Sequence, residues 1–182
     1  MKDIRPTTEQ AILEAGFAVF SANPGASISD VAAHAGVGRA TLHRYHPSRD
    51  ALLNALAKAA MAELDHVITK ATADATSHTE GLKLALAAIL PLATRQLFLA
   101  TVNFEADDDL QGTYAADAAA LLEDIEQAKT EGGFDPNIPT PWIAEAYEHL
   151  IYAGWKLVSD GEATPKQAAS LAWRTLTKGL NQ

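Results

Sequence analysis

The 182-residue chain contains no cysteine. That absence excludes a disulfide framework, a thiolate metal site and a cysteine nucleophile. Positive charge is also short, with 14 Lys+Arg against 23 Asp+Glu and a formal net charge of -9. Such a surface repels polyanions unless a local strip escapes the general sign. No stretch approaches the roughly 18 uncharged apolar residues that a membrane span needs. The opening "MKDIRPTTEQ" has charges where a signal peptide would place its apolar region. A G-x-S-x-G elbow, a P-loop and an H-E-x-x-H are all missing, so an enzyme is not expected. His43 and His46 have helical spacing but no third ligand beside them, so neither a metal nor a cofactor is expected. Together these absences suggest a cytoplasmic protein without membrane attachment.

What is present is ample material for a core. Hydrophobic residues make up 48% and charged residues 20% of the chain, which argues against disorder. The charge is unevenly spread. Residues 1–60 hold six Lys+Arg and five Asp+Glu, whereas residues 61–182 hold eight and eighteen. Between Asp30 and Asp50 stand three arginines, three histidines and no acid. Any contact with nucleic acid therefore belongs in the first third.

Periodicity indicates an all-α chain of about eight or nine helices. Leu13, Gly16, Phe17 and Phe20 mark the first, ended by "NPG" at 23–25. Ser27 is a suitable N-cap for a short helix to about Ala35, Gly36 permits a turn, and residues 38–46 form a third helix that Pro47 stops. Ser48 opens a long fourth helix along Leu53, Leu56, Ala60, Leu64 and Val67. Ser77 and Glu80 have capping-box spacing for a helix that should be kinked at Pro91. Tyr114, Ala118, Leu121, Leu122 and Ile125 mark another, ended by Gly132 and Gly133. Two last helices open with Thr-Pro, at 140–141 and 164–165.

The second and third helices have the makings of a helix-turn-helix unit. Ile28, Val31, Val37 and Leu42 face inward, Ala32 is small where the helices cross, and Gly36 supplies the turn. With Leu42 inside, Arg39, Ala40, Thr41, His43 and Arg44 face outward on a slim cationic helix that can enter a major groove. Arg39 can offer a fork to guanine, and Ala40 and Thr41 allow close approach. His43, Tyr45 and Arg49 can reach phosphates. Ser27 and Ser29 can donate to a phosphate through hydroxyl and amide groups. The rival reading is an all-α protein-interaction module without DNA binding.

Residues 9–57, from "AILEAGFAVF" through "DVAAHAGVGRATLHRYHPSRDALLNAL", resemble the tetracycline-repressor (TetR) family of bacterial transcription regulators. Ala32, Ala35, Gly36, Val37, Thr41, Leu42, Arg44, Pro47, Ser48, Arg49, Asp50, Leu52 and Leu53 stand in register with its pattern. There are departures. His43 stands where that family usually has a phosphate-contacting tyrosine, Tyr45 where it has histidine, and His46 where a phenylalanine packs inward. The loop "SANPGAS" is short and lacks an aromatic residue after its glycine.

The resemblance implies a helix-turn-helix DNA-binding domain, residues 1–47, and a helical effector-binding and dimerisation domain, residues 48–182. It implies a double-stranded DNA operator, a small-molecule effector and a homodimer formed through the last two helices. Ile143, Leu150, Gly154 and Leu157, with Ala168, Leu171, Ala172 and Leu176, are the candidate dimer residues, although such stripes can also pack within one chain. Leu86, Leu90, Phe98, Phe104, Tyr114 and Tyr147 are candidate effector contacts, and the same residues suit a plain core. Asp107, Asp108 and Asp109 read as a hydrated loop rather than a cation site. One short helix spans too few base pairs to find a site, so a two-fold dimer on a palindrome is expected, with repression as the regulatory habit.

Overall fold

The computed structural model describes residues 7–101 and 107–180. Among them are nine α-helices and no strand. Thr7 and Gln10 form a capping box for α1, Thr8–Ala22. A second box, Ser27 with Asp30, opens α2, Ile28–His34. After Gly36 (φ 69°) comes α3, Arg39–Tyr45, which ends where His46 turns extended before Pro47. Ser48 caps α4, Arg49–Thr72, by accepting from the Ala51 amide.

Ser77 caps α5, His78–Ile89, but Glu80 does not close the expected box. Its carboxylate accepts instead from the amide and hydroxyl of Thr76. Pro91 produces a 3-10 turn, Leu90–Leu92, rather than a simple kink, and α6, Ala93–Thr101, follows. By length and composition His78–Phe98 would suit a membrane crossing, yet Leu82, Leu86, Ile89, Leu90, Ala93 and Phe98 are buried inside the protein.

Asp107, expected in a hydrated loop, caps α7, Asp108–Thr130. It also meets Lys58 of α4 at 2.7 Å. Thr140 was expected to cap α8 but is its first residue, in Thr140–Ser159, with Pro139 as the cap. Its hydroxyl is used differently, donating to Glu126 and accepting from Lys129, which fastens α7 to α8. Thr164 and Gln167 form the box of α9, Pro165–Lys178.

Two apolar cores result. The first joins Ile12, Phe17, Phe20, Val31 and Leu42 to Leu52, Leu53, Leu56 and Ala60 of α4. The second joins α5, α7, α8 and α9 through residues such as Leu86, Ile125, Ile143, Tyr147 and Ala168, and Leu64, Val67 and Ile68 of α4 pack against it. A single helix thus passes from one core into the other. The 3-10 turn crowds α8, where Gly154 lies so near Leu90 that a Cβ there would stand 2.5 Å from its Cδ1.

Helix α6 is the second link. Phe98, expected near an effector, belongs to the first core: its ring stacks on Phe20 with centroids 6.1 Å apart and meets Phe17 edge-on at 6.4 Å. Arg95 lies 4.8 Å above the Phe17 ring and binds Glu14 of α1 at 2.7 Å and Glu63 of α4 at 3.4 Å. The buried Gln96 amide donates to the Ala60 carbonyl at 3.2 Å. A pocket-lining phenylalanine could be truncated cheaply, but a ring in this position cannot. Phe98→Ala should lower unfolding free energy by about 3–5 kcal/mol, read from urea denaturation followed by circular dichroism.

Candidate nucleic-acid interface

Helix α3 has seven residues and no side-chain cap, too few to hold a helix unaided. It is held by what lies beneath it. Leu42 is only 1% exposed and sits in the first core with Val31 and Ala32 of α2. The turn between the helices is closed by main-chain bonds from Val37 to Ala32 at 3.0 Å and from Gly36 to Ala33 at 3.2 Å. The bond from Val37 needs the positive φ of Gly36, at which a side chain would be strained.

Burying Leu42 leaves Arg39, Ala40, His43 and Arg44 exposed, with Thr41 half-exposed beside them. Tyr45 is exposed too, and the Arg44 guanidinium lies 5.5 Å from its ring centroid. His43 turns Nδ1 toward the Pro47 carbonyl at 3.2 Å, leaving Nε2 without a bond among the described residues. The ridge is therefore cationic, narrow and uncovered by the described parts of the chain.

Two expected phosphate contacts are otherwise engaged. The amide and hydroxyl of Ser27 both donate to Asp30 Oδ2 at 2.8 Å. The same bonds from Ser27 hold the Asp30 carboxyl below its ordinary pKa, with a smaller pull from the Arg39 charge. This residue closes a helix end rather than offering free donors. Arg49 folds back as well, donating to the Pro24 carbonyl at 2.5 Å and lying 4.6 Å from the Phe20 ring centroid. It clamps the 23–25 loop. Ser29 is half-exposed on the first turn of α2.

The expected effector residues do not converge. Leu86, Leu90 and Tyr147 lie in the second core, where the Tyr147 hydroxyl donates to the Leu82 carbonyl at 2.8 Å. Phe98 is in the other core, Tyr114 is 45% exposed on α7, and Phe104 lies outside the described residues. Of the dimer candidates, Ile143, Gly154, Ala168 and Ala172 are buried within this chain's own second core, where a partner cannot touch them. Leu150 and Leu176 are half-buried; Leu157 and Leu171 are exposed. A face used for internal packing and one used for assembly share one spacing, so the stripes alone do not separate the two.

The Arg95 clasp went unnoticed in the sequence although a signal was there. Arg95 is the single charged residue between Lys83 and Glu105, and a lone guanidinium in apolar surroundings requires acids from elsewhere.

His46 closes α3 and is 5% exposed, and its Nε2 has no hydrogen-bond partner among the described residues. Burial pulls its pKa below 6.5, with Glu9 opposing weakly. The folded protein thus holds a neutral ring, while the unfolded chain accepts a proton near the ordinary value. Stability is retained above about pH 6.5 and lost as pH falls through that value toward the depressed one. His46→Phe should remove this acid-side loss. Urea denaturation of both proteins at about pH 7.5 and 5.5 checks it, and equal losses would clear His46 of the effect.

The comparisons with known proteins agree with this geometry. Residues 12–56 match the pattern described as bacterial regulatory proteins, tetR family. The chain is 32% identical, over 97% of its length and 92% of the relative's, to the HTH-type transcriptional repressor LfrR of Mycolicibacterium smegmatis. The crystal structure of the regulator LfrR from Mycobacterium smegmatis in complex with proflavine superposes with TM-score 0.77 at 28% identity, covering 96% of this chain and 97% of that one. AibR, solved with isovaleryl coenzyme A and operator DNA, shares the fold at TM-score 0.81 and 19% identity, covering 94% and 98%.

Proposed function

The chain belongs to the TetR family of bacterial regulatory proteins, and we propose that it is a ligand-released repressor that binds a palindromic operator as a homodimer. The reading is carried by one observation: Leu42 is buried, so Arg39, Ala40, His43 and Arg44 form an open cationic ridge on an acidic protein. We divide the chain at Pro47 into a DNA-binding unit and an effector and dimer unit, with α4 serving both. Arg39 is the base-reading side chain, Thr41 and Ala40 shape the approach, and His43, Arg44, Tyr45 and Ser29 supply phosphate contacts. No catalytic role is assigned to any residue.

Dimerisation is proposed through the outer faces of α8 and α9. Trp142 is 71% exposed there, and Leu157 and Leu171 are exposed as well. Beside Trp142 runs a groove of about 380 Å³ bounded by Phe134, Ile138, Leu150 and Leu176. Apolar surface of this kind on a charged protein favours association. A two-fold pair would hold its reading helices about 34–36 Å apart, one turn of duplex.

A small-molecule effector is supported by the relative solved with proflavine. We place its site around Leu86, Leu90 and Tyr147, between α5 and α8. The route from there to DNA runs through α6, which packs against both α8 and α1. Movement of α6 shifts the Arg95–Glu14 pair and the Phe98 stack, and so tilts the three-helix unit. A coupling of about 1–3 kcal/mol changes operator affinity roughly 5- to 150-fold.

Selection from random duplex DNA should recover a palindrome. On that site Arg39→Ala should cost about 1–3 kcal/mol and relax base preference at one position of each half-site, while the salt dependence of wild-type binding stays steep. Footprinting and affinity measured at several salt concentrations check this. An interaction module without DNA binding would enrich no sequence at all.

A further inference from the structure

Between α5 and α9 lies a groove of about 500 Å³ that plays no part in the reading above. Its lining is mainly apolar, with Ala87 from α5, Pro91 from the 3-10 turn, and Ala169 and Trp173 from α9. Lys83 and Lys166 line the same groove, one from each helix, and none of the lining residues is acidic. That is unexpected in its setting, because residues 61–182 hold eighteen acids and eight bases.

The two ammonium groups are available. Neither forms an ion pair among the described residues, where Arg95, Lys129 and Lys156 all do. The acid one turn before Lys83 is Glu80, which feels the Lys83 charge but whose carboxylate is bonded to the Thr76 amide at 2.9 Å and hydroxyl at 2.7 Å. The indole N–H of Trp173 is also unengaged among the described residues, whereas that of Trp155 donates to the Ile89 carbonyl at 2.9 Å.

We propose that this groove binds a small organic anion with a flat apolar body. The body lies against Trp173 and the alanine and proline floor, and its carboxylate faces Lys83 and Lys166. A carboxylate in the groove is attracted by both lysine charges, while the flat body covers apolar surface. The size suits such a ligand, since small-molecule sites commonly span about 300–1,000 Å³. Lys166, Ala169 and Trp173 occupy one flank of α9, and Leu171 of the proposed dimer surface lies on another. The site depends neither on that dimer nor on the effector position near Tyr147.

The test uses the full chain at low ionic strength, titrated calorimetrically with 2-naphthoate and with 2-naphthamide, which keeps the ring but not the charge. Naphthoate should saturate one site per chain and bind at least about 10-fold tighter than the amide. The double variant Lys83→Gln/Lys166→Gln should erase that preference. Ala87→Trp, at an exposed helix position, should fill the groove and remove binding of both compounds. Circular dichroism melts of each variant show that the fold is kept. The proposal is overturned by equal binding of acid and amide, by a preference that survives loss of both lysines, by undisturbed binding to Ala87→Trp, or by no binding at all.

Discussion

The seat of Leu42 in the first core is the contact on which the rest of the molecule's arrangement depends. Helix α3 is too short to persist alone and lacks a side-chain cap. Its shape and its aim both come from one leucine buried in the same core as Val31 of α2 and the leucines of α4. A helix has opposite faces at fixed angles, so fixing one side of α3 fixes the other. Ala40 and Arg44, two residues to either side of Leu42 and about 160° round the helix from it, face outward because Leu42 faces inward. The glycine turn and the capping box of α2 serve the same end by setting the angle at which α3 arrives.

That seat is tied to the distant half of the chain by two helices of unlike character. Helix α4 crosses from one core to the other by apolar packing, through Leu52, Leu53 and Leu56 and then Leu64, Val67 and Ile68. Helix α6 reaches the first core with an aromatic stack and a cation held between Glu14 and Glu63. Packing of the first kind is stiff, because interiors resist deformation. The pairs made by Arg95 are half in water and individually weak.

Much of the site was legible because its determinants are local. Ser27, Ser48, Ser77 and Thr164 cap helices as their spacing implies, and Gly36 turns the chain at positive φ. Each requirement is set within a few residues by hydrogen-bond reach or backbone sterics. Elsewhere a side chain had two uses open to it. Ser27 and Arg49 have groups suited to phosphate, and both found partners inside the protein. Phe98 could have lined a cavity and instead stacks on Phe20. Thr140 could have capped a helix and instead joins Glu126 and Lys129. None of these choices leaves a trace in spacing.

The sequence by itself determined that the chain is helical, that an acid-free strip with three arginines and three histidines lies between Asp30 and Asp50, and that Leu42 and Arg44 must occupy opposite sides of one short helix. Those properties follow from charge, periodicity and backbone reach, which act between near neighbours. Only the tertiary structure decided which apolar stripes are interior, which arginine clamps a loop, which one joins two halves, and which lysines are left unpaired along a groove. Such outcomes depend on contacts between residues far apart in the chain, such as Arg95 with Glu14, and on competition among several acceptable partners for each group. Proximity of that kind exists only once the helices have packed.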